Sequence, residues 1–403
     1  MMRLIYIQYL FILFLLPGSF HCPAQFLDEF SGNEIEGWFF FTGDGDAIMD
    51  FVQKKDCARI EVDATHDRFN VWWALIKRDV TNWLDLEKLQ DPAFELRVEA
   101  RVRISHAPRR VNFMVNTNRT TNYHEHLKEY DIPDTSGWHI ISMTTHNFDA
   151  VPGDTVYVQL AMTDFGPGKY YLDVDYYRAD VVDVSLAGPD LGEPLPYHPT
   201  IQEPGSFEYH LRVGEDAMID CDFPEVNFNN WSTQGPSGEE RILTVDANHW
   251  PVLRWDFGPY VNLKVKGAGI LELTTQTVAS GGGYIEAFGE DLGIEFGKIR
   301  VIEILKGDPL WNQEDVTYNS MTQNQPEEVV FNTQMIYDEA PCREPGCKTY
   351  ITISRPVLQR LLDGTTKGLL IRPLGAIDAS FYASENIGRN GPVLHFNCIP
   401  ENK

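Results

Sequence analysis

Apolar residues recur at every second position along much of this chain, the period of a half-buried strand. In Phe94–Ile104, Phe94, Leu96, Val98, Ala100, Val102 and Ile104 face one way, and Glu95, Arg97, Glu99, Arg101 and Arg103 face the other. Val111, Phe113 and Val115 repeat the pattern, as do Val156, Val158, Leu160 and Met162. Tyr170, Leu172, Val174 and Tyr176 do so again, opposite Tyr171, Asp173, Asp175 and Tyr177. Strands with one apolar and one wet face suit packed antiparallel sheets. Helical spacing shows only weakly, around Trp83–Leu89.

The pattern divides the chain. Residues 26–185 read as one β-sandwich of jelly-roll type. Pro189, Pro194, Pro196, Pro199 and Pro204 crowd residues 186–206, the signature of a semi-stiff linker. Residues 207–403 are strand-rich again, with one helical piece at Pro356–Leu362 that stops at Asp363-Gly364. The expected architecture is all-β: two jelly-roll-like sandwiches joined by a proline-rich linker.

The first 25 residues change the setting. Arg3, the apolar run Leu4–Leu16, Pro17-Gly18-Ser19 and an exit near Pro23-Ala24-Gln25 form a secretory signal, which places the mature protein outside the cell or at its surface. The run is too short to span a membrane comfortably. Cys22 invites a lipoprotein reading, but His21 stands where a lipobox needs a small residue. The net charge of −26 becomes −27 once Arg3, the only charge in residues 1–25, is removed. So acidic a chain repels nucleic acid and anionic membrane surfaces. Five cysteines remain: Cys57, Cys221, Cys342, Cys347 and Cys398. Export favours disulfides. Cys342 and Cys347 can close a small loop, Cys221 and Cys398 offer other pairings, and one cysteine is left over. The Cys-x4-Cys spacing has no nearby histidine or second pair, so it does not read as a zinc site.

Candidate chemistry concentrates in the first sandwich. Trp72 and Trp73 are adjacent on the strand predicted over Asn70–Lys77, so one is core and the other lies on the second face of the sheet; Trp73 is the candidate for sugar contact. Trp38, Phe39, Phe40 and Phe41 lean towards the core. Residues His106–Tyr130 are rich in Arg, Asn and His, a basic, amide-bearing stretch in an acidic protein. Arg110 precedes a strand whose outward residues are Asn112, Met114 and Asn116, with Arg119 and His124 on the loop that follows. Arginine forks there suit carboxylates or sulfates. A lyase would use Arg119 to neutralise a uronate and His124 and Tyr130 as base and acid. No ordered lyase motif, serine nucleophile elbow or cysteine–histidine context accompanies them. Oxygens of Asp28 or Glu29 near the first strand and Asp173 or Asp175 near the last would suit a structural Ca²⁺, with Asp44-Gly45-Asp46 in support. Gly281-Gly282-Gly283 lacks the context of a phosphate loop. Asn118-Arg119-Thr120 and Asn230-Trp231-Ser232 are glycosylation sequons.

Four segments in order carry a family resemblance: Val252-Leu253-Arg254-Trp255-Asp256-Phe257, Trp311-Asn312-Gln313-Glu314-Asp315-Val316-Thr317-Tyr318-Asn319, Tyr350-Ile351-Thr352-Ile353, and Ala379–Glu385 with Gly391–Phe396. Over roughly 206–398 they resemble the DNRLRE-type domain, a sandwich appended to secreted bacterial polysaccharide-degrading and cell-surface proteins, some of which bind polysaccharide. The first half looks like a carbohydrate-binding module. Together these imply non-catalytic binding of an extracellular polysaccharide, plausibly an anionic algal one bearing uronate or sulfate. The alternatives are a polysaccharide lyase acting by β-elimination in residues 26–185 and a structural or adhesive surface protein.

Overall fold

The computed structural model describes residues 25–400 apart from 33–34, 44–45, 67–72, 164–165, 167, 196–201, 230–232, 235–239, 281–296, 333–336 and 375–376. The signal segment, Cys22, Trp72, the Asp44-Gly45 pair, the triple glycine and the Asn230 sequon lie outside the described residues.

The protein is all-β. In the first sandwich the strands are β1 (Phe26–Asp28), β2 (Trp38–Thr42), β3 (Ile48–Gln53), β4 (Ala58–Asp63), β5 (Trp73–Asp79), β6 (Phe94–Ile104), β7 (Arg109–Thr117), β8 (Leu127–Ile132), β9 (His139–Thr144), β10 (Val156–Thr163), β11 (Lys169–Asp183) and β12 (Glu193–Leu195). One sheet runs β3-β4-β11-β6-β9 with β1 added against β11, and the other runs β12-β8-β7-β10-β5-β2. All the pairings are antiparallel, and the alternating apolar residues of both sheets meet in one core that includes Val98, Val111, Phe113, Val158, Leu160 and Leu172. The weak helical spacing near Trp83 resolves as two 3-10 turns, Thr81–Trp83 and Lys88–Gln90.

One register expectation changes. Tyr176 does not share a face with Tyr170, because the pairing of β11 with β6 shifts between Val174 and Tyr176. The extra residue of a bulge reverses the alternation beyond it. Tyr177 and Ala179 are therefore buried in the core, while the Tyr176 hydroxyl lies outside and donates to Glu99 Oε1 at 2.8 Å.

The proline-rich segment is not wholly a linker. Lys128 Nζ donates to Asp190 Oδ2 at 2.5 Å, and the Thr144 amide and hydroxyl donate to Asp190 Oδ1 at 2.9 Å. β12 then joins β8 at the sheet edge. Pro194 fits there because an edge strand leaves one row of amides unpaired.

The second sandwich contains β13 (Tyr209–Arg212), β14 (Glu215–Ile219), β15 (Thr233–Gln234), β16 (Glu240–Val245), β17 (Trp250–Arg254), β18 (Leu263–Val265), β19 (Gly269–Ser280), β20 (Lys298–Ile304), β21 (Tyr337–Glu339), β22 (Lys348–Ile353), β23 (Gly368–Leu374), β24 (Ile377–Tyr382), β25 (Val393–Phe396) and β26 (Cys398–Pro400). Its sheets run β13-β25-β19-β24-β16-β15, with β22 against β19, and β14-β17-β23-β20-β21; β18 and β26 pair apart from both. Short helices α1 (Tyr318–Thr322) and α2 (Glu327–Val330) precede α3 (Arg355–Leu362). α3 forms where the sequence places it: Pro356 takes an early position that needs no amide hydrogen bond, and Gly364 at φ +70° ends it. Trp255, Trp311 and Phe381 of the family-like segments are core residues. Cys342 and Cys347 form a disulfide, whereas Cys57, Cys221 and Cys398 are free thiols.

The sandwiches meet through α3. Arg360 donates to Asp131 of β8 at 2.6 and 3.2 Å and to Glu303 of β20 at 2.8 and 3.0 Å. Arg355 pairs with Glu193 of β12, its Nε 3.0 Å from Oε1. Both carboxylates around Arg360 are out of water, and the shared guanidinium donates to each of them.

Candidate functional site

The sheet β12-β8-β7-β10-β5-β2 has a second face, turned away from the core, and its register fixes which side chains share it. One row across the strands is Phe39, Lys77, Gln159 and Met114. The next is Phe41, Leu75, Ala161, Asn112 and Glu129, and the third is Trp73, Thr163, Arg110, Asp131 and Glu193. Strand alternation forces this sorting: with Trp38 and Ala74 in the core, Phe39, Phe41, Trp73 and Lys77 must point the other way.

The β2–β5 flank of this face is aromatic and open. Phe39 is 63% exposed and Phe41 44%. Phe41 meets the partly exposed Trp73 edge to face, with ring centroids 5.4 Å apart. The Trp73 carbonyl accepts from the Gly43 amide at 3.2 Å and from Thr42 Oγ1 at 2.9 Å, which fixes the strand beneath the indole. Gly43 lies against that ring: a Cβ there would sit 3.5 Å from Trp73 Cε2. On the neighbouring row, Lys77 Nζ stands 4.1 Å from the centre of the Tyr157 ring, a cation–π contact. Burial holds the Lys77 ammonium below the usual lysine pKa.

The middle of the face is a buried amide floor. Gln159 Nε2 donates to Asn116 Oδ1 at 2.5 Å, and Asn116 Nδ2 to the Thr117 carbonyl at 3.2 Å. Asn112 and Arg110 are also buried, with Arg110 Nη1 3.4 Å from Glu129 Oε2. The far flank carries Asp131 and Glu193, both held by arginines of α3. The second sandwich therefore covers one end of this face, and the aromatic rings occupy the other.

The structure places Trp73, Arg110, Asn112 and Asn116 on one face, and of these only Trp73 reaches its surface. The basic surface expected over Arg109–Lys128 is engaged within the protein. Arg109 is buried with its guanidinium 4.8 Å from the Tyr170 ring centre. Arg119 makes a two-pronged contact with Asp154 at 2.7 and 2.8 Å and bonds Asp149 at 3.0 Å, and Lys128 is held by Asp190. The lyase set is not assembled. His124 is on an exposed turn, Arg119 is tied to its aspartates, and Tyr130 points into the core. There the Tyr130 hydroxyl donates to the Ser142 carbonyl, and burial drives its pKa far above the ordinary tyrosine value.

The calcium expectation meets a different arrangement. β1 does pair with β11, with Asp28 opposite Tyr177. Asp173, however, is fully buried between Arg59 at 2.5 and 3.1 Å and Arg103 at 2.7 and 3.2 Å. Asp175 bonds Arg101 at 2.9 Å, Asp28 accepts from the Trp38 indole at 2.6 Å, and Glu29 is exposed. Among the described residues no group of three or more His, Cys, Asp or Glu converges as a metal site. The guanidinium groups supply the positive charge that a cation would otherwise bring.

Sequence reasoning passed over Lys77 and Tyr157, and it placed Phe39, Phe40 and Phe41 towards the core, whereas only Trp38 of that run is buried and the three phenylalanines are exposed. The signal was present: in a strand reading Trp-Phe-Phe-Phe, two adjacent rings cannot both be core.

No protein-family model matches this chain, so the DNRLRE-type resemblance of the second half rests on its short segments alone. No curated protein matches it. Among solved structures it is similar to a family 11 carbohydrate-binding module from Clostridium thermocellum in complex with a β-1,3-1,4-mixed-linked tetrasaccharide, at 14% identity over 38% of this chain and 94% of that one, TM-score 0.26. A second is the CBM22-1 xylan-binding domain of Paenibacillus barcinonensis Xyn10C, at 14% identity over 40% and 94%, TM-score 0.26. The tandem CBM22-1–CBM22-2 domains of the same protein match at 12% identity over 93% of this chain and 97% of that one, TM-score 0.26. At these TM-scores the likeness carries no weight for ligand or activity.

Proposed function

We propose that this is a secreted, non-catalytic polysaccharide-binding protein whose first sandwich holds a glycan on the outer face of the β12–β2 sheet. The observation that carries the reading is the open flank of Phe39, Phe41 and Trp73. A large ring left in water forfeits about 1.5–3 kcal/mol of burial, and contiguous exposed rings beside polar groups mark a binding surface. Sugars present apolar C–H faces that stack on such rings, while their hydroxyls suit Lys77 and neighbouring polar groups. The ligand favoured here is of low charge density. Every arginine expected to receive carboxylates or sulfates has an internal carboxylate or aromatic partner, and the net charge of −26 opposes an anionic polymer at long range. Export is supported by the leader-like sequence of the first 25 residues. Affinity electrophoresis against neutral glucans, xylan, alginate, ulvan and carrageenan tests the proposal. Retardation by a neutral glycan that Trp73→Ala or Phe41→Ala weakens supports it, and no retardation by any polymer refutes it.

A further inference from the structure

Lys77 stands within the open aromatic flank, and among the described residues it makes no hydrogen bond and no ion pair. Register puts it in one row with Phe39, Gln159 and Met114. The row on one side holds Phe41, Leu75, Ala161, Asn112 and Glu129, and the row on the other holds Asp79, Tyr157 and Asn116. Both acids of these rows are occupied. Asp79 Oδ1 accepts from the Thr81 amide at 2.9 Å and from the Thr81 hydroxyl at 2.6 Å. Glu129, three strands away on β8, lies against Arg110. The Lys77 ammonium is held instead over the Tyr157 ring, 4.1 Å from its centre.

The other cations at this face are matched by carboxylates: Arg110 by Glu129, Arg355 by Glu193 and Arg360 by Asp131. Lys77 is half-buried, so its ammonium has lost part of its hydration, and burial lowers its pKa with no carboxylate to restore it. The ring contact compensates only in part, because it takes up none of the three N–H donors as a hydrogen bond. A sugar hydroxyl would supply an acceptor without a compensating charge. A carboxylate supplies both, in a shorter and stronger charge-assisted bond. One compact ammonium matches one such group. Acids at every unit of a polymer would instead meet the repulsion of a protein of net charge −26.

The geometry points to Lys77 as the specificity-determining residue of the aromatic face, reading a single carboxylate on a glycan whose chain is otherwise neutral. This rests on the binding surface proposed above and narrows its ligand to a chain with widely spaced acidic side groups. Phe39, Phe41 and Trp73 stack on the neutral units, and the side group reaches the ammonium beside them.

The test is affinity electrophoresis of the mature chain on matched pairs of polymers. Glucuronoxylan, whose xylose chain carries scattered uronates, is compared with the same polymer after its carboxyls are reduced to alcohols. Carboxymethyl cellulose of low substitution is compared with hydroxyethyl cellulose. In at least one pair the acid-bearing member should bind wild type about five- to tenfold more tightly, and in Lys77→Gln the ratio should fall to about one. Raising sodium chloride from about 0.05 to about 0.5 M should shrink the wild-type ratio by screening, a readout that needs no variant. Equal binding within every pair overturns the inference and leaves the aromatic face standing. A preference that survives in Lys77→Gln also overturns it, because the acid is then read elsewhere. Alginate, charged at every unit, should be retarded less than glucuronoxylan, and the reverse order overturns the sparsely acidic ligand. No retardation by any polymer refutes the aromatic face and this inference together.

Discussion

Arg360→Ala removes the one cation shared by two carboxylates of different sandwiches. In the native protein the Arg360 side chain is 12% exposed, and Asp131 and Glu303 are 1% exposed each. Truncation deletes four hydrogen bonds and leaves both acids out of water; among the described residues only Asn332 Nδ2 still donates to Glu303, at 3.2 Å. Breaking a buried ion pair from one side costs about 3–5 kcal/mol. For domains of this size that lowers Tm by about 10 °C. The loss has a pH signature. Burial already raises the Glu303 pKa, and Arg360 opposes the rise, so the variant holds Glu303 protonated to higher pH than the unfolded chain does. Between the unfolded and folded values the folded variant binds the extra proton, and its stability falls as pH rises. Calorimetry at pH 5 and pH 8 checks this. The expected result is a larger deficit at pH 8 and separation of one transition into two as the sandwiches uncouple. A variant that unfolds within a degree of the wild type at both values refutes the buried triad.

Asp216 supplies a second pH test. Burial, followed by the nearby Glu385 charge, pushes its pKa up to about 7 against the hydrogen bonds from Ser384. The folded state keeps a proton that the unfolded chain has released, so stability drops as pH rises from about 4 to about 7; Asp216→Asn should flatten that slope in Tm-versus-pH curves, and an unchanged slope refutes the assignment. Arg119→Ala should leave polysaccharide retardation unaltered, because the residue serves Asp149 and Asp154. A uronate-dependent rise in ultraviolet absorbance that this variant abolishes would instead restore the lyase reading.

The fold was legible because burial here follows strict alternation. Phe94–Ile104 and Val156–Met162 sort their side chains by parity alone, and α3 is announced by Pro356 and Gly364. Legibility failed where parity broke or depended on distant partners. The bulge at Asp175 exchanged Tyr176 for Tyr177 in the core, and nothing local marks it. Arg109, Arg110, Arg119 and Lys128 look like a basic patch in sequence, yet their partners, the Tyr170 ring and the carboxylates of Glu129, Asp154 and Asp190, lie 19–62 residues away along the chain. Asp173 reads as a cation ligand until Arg59 and Arg103 are brought beside it by β4 and β6. Part of the site was written in plain view. Four aromatic residues in succession at Trp38–Phe41 cannot all be core, and the outward pair forms the open flank.

The most direct test of the account is isothermal titration of a neutral glycan that retards the mature chain, comparing wild type with Phe41→Ala, Trp73→Ala and the double variant. Each ring stacks on a sugar, so each single change should weaken binding about tenfold and the double change should abolish measurable heat, with Tm held. Wild-type affinity in the double variant would contradict the aromatic face as the binding surface.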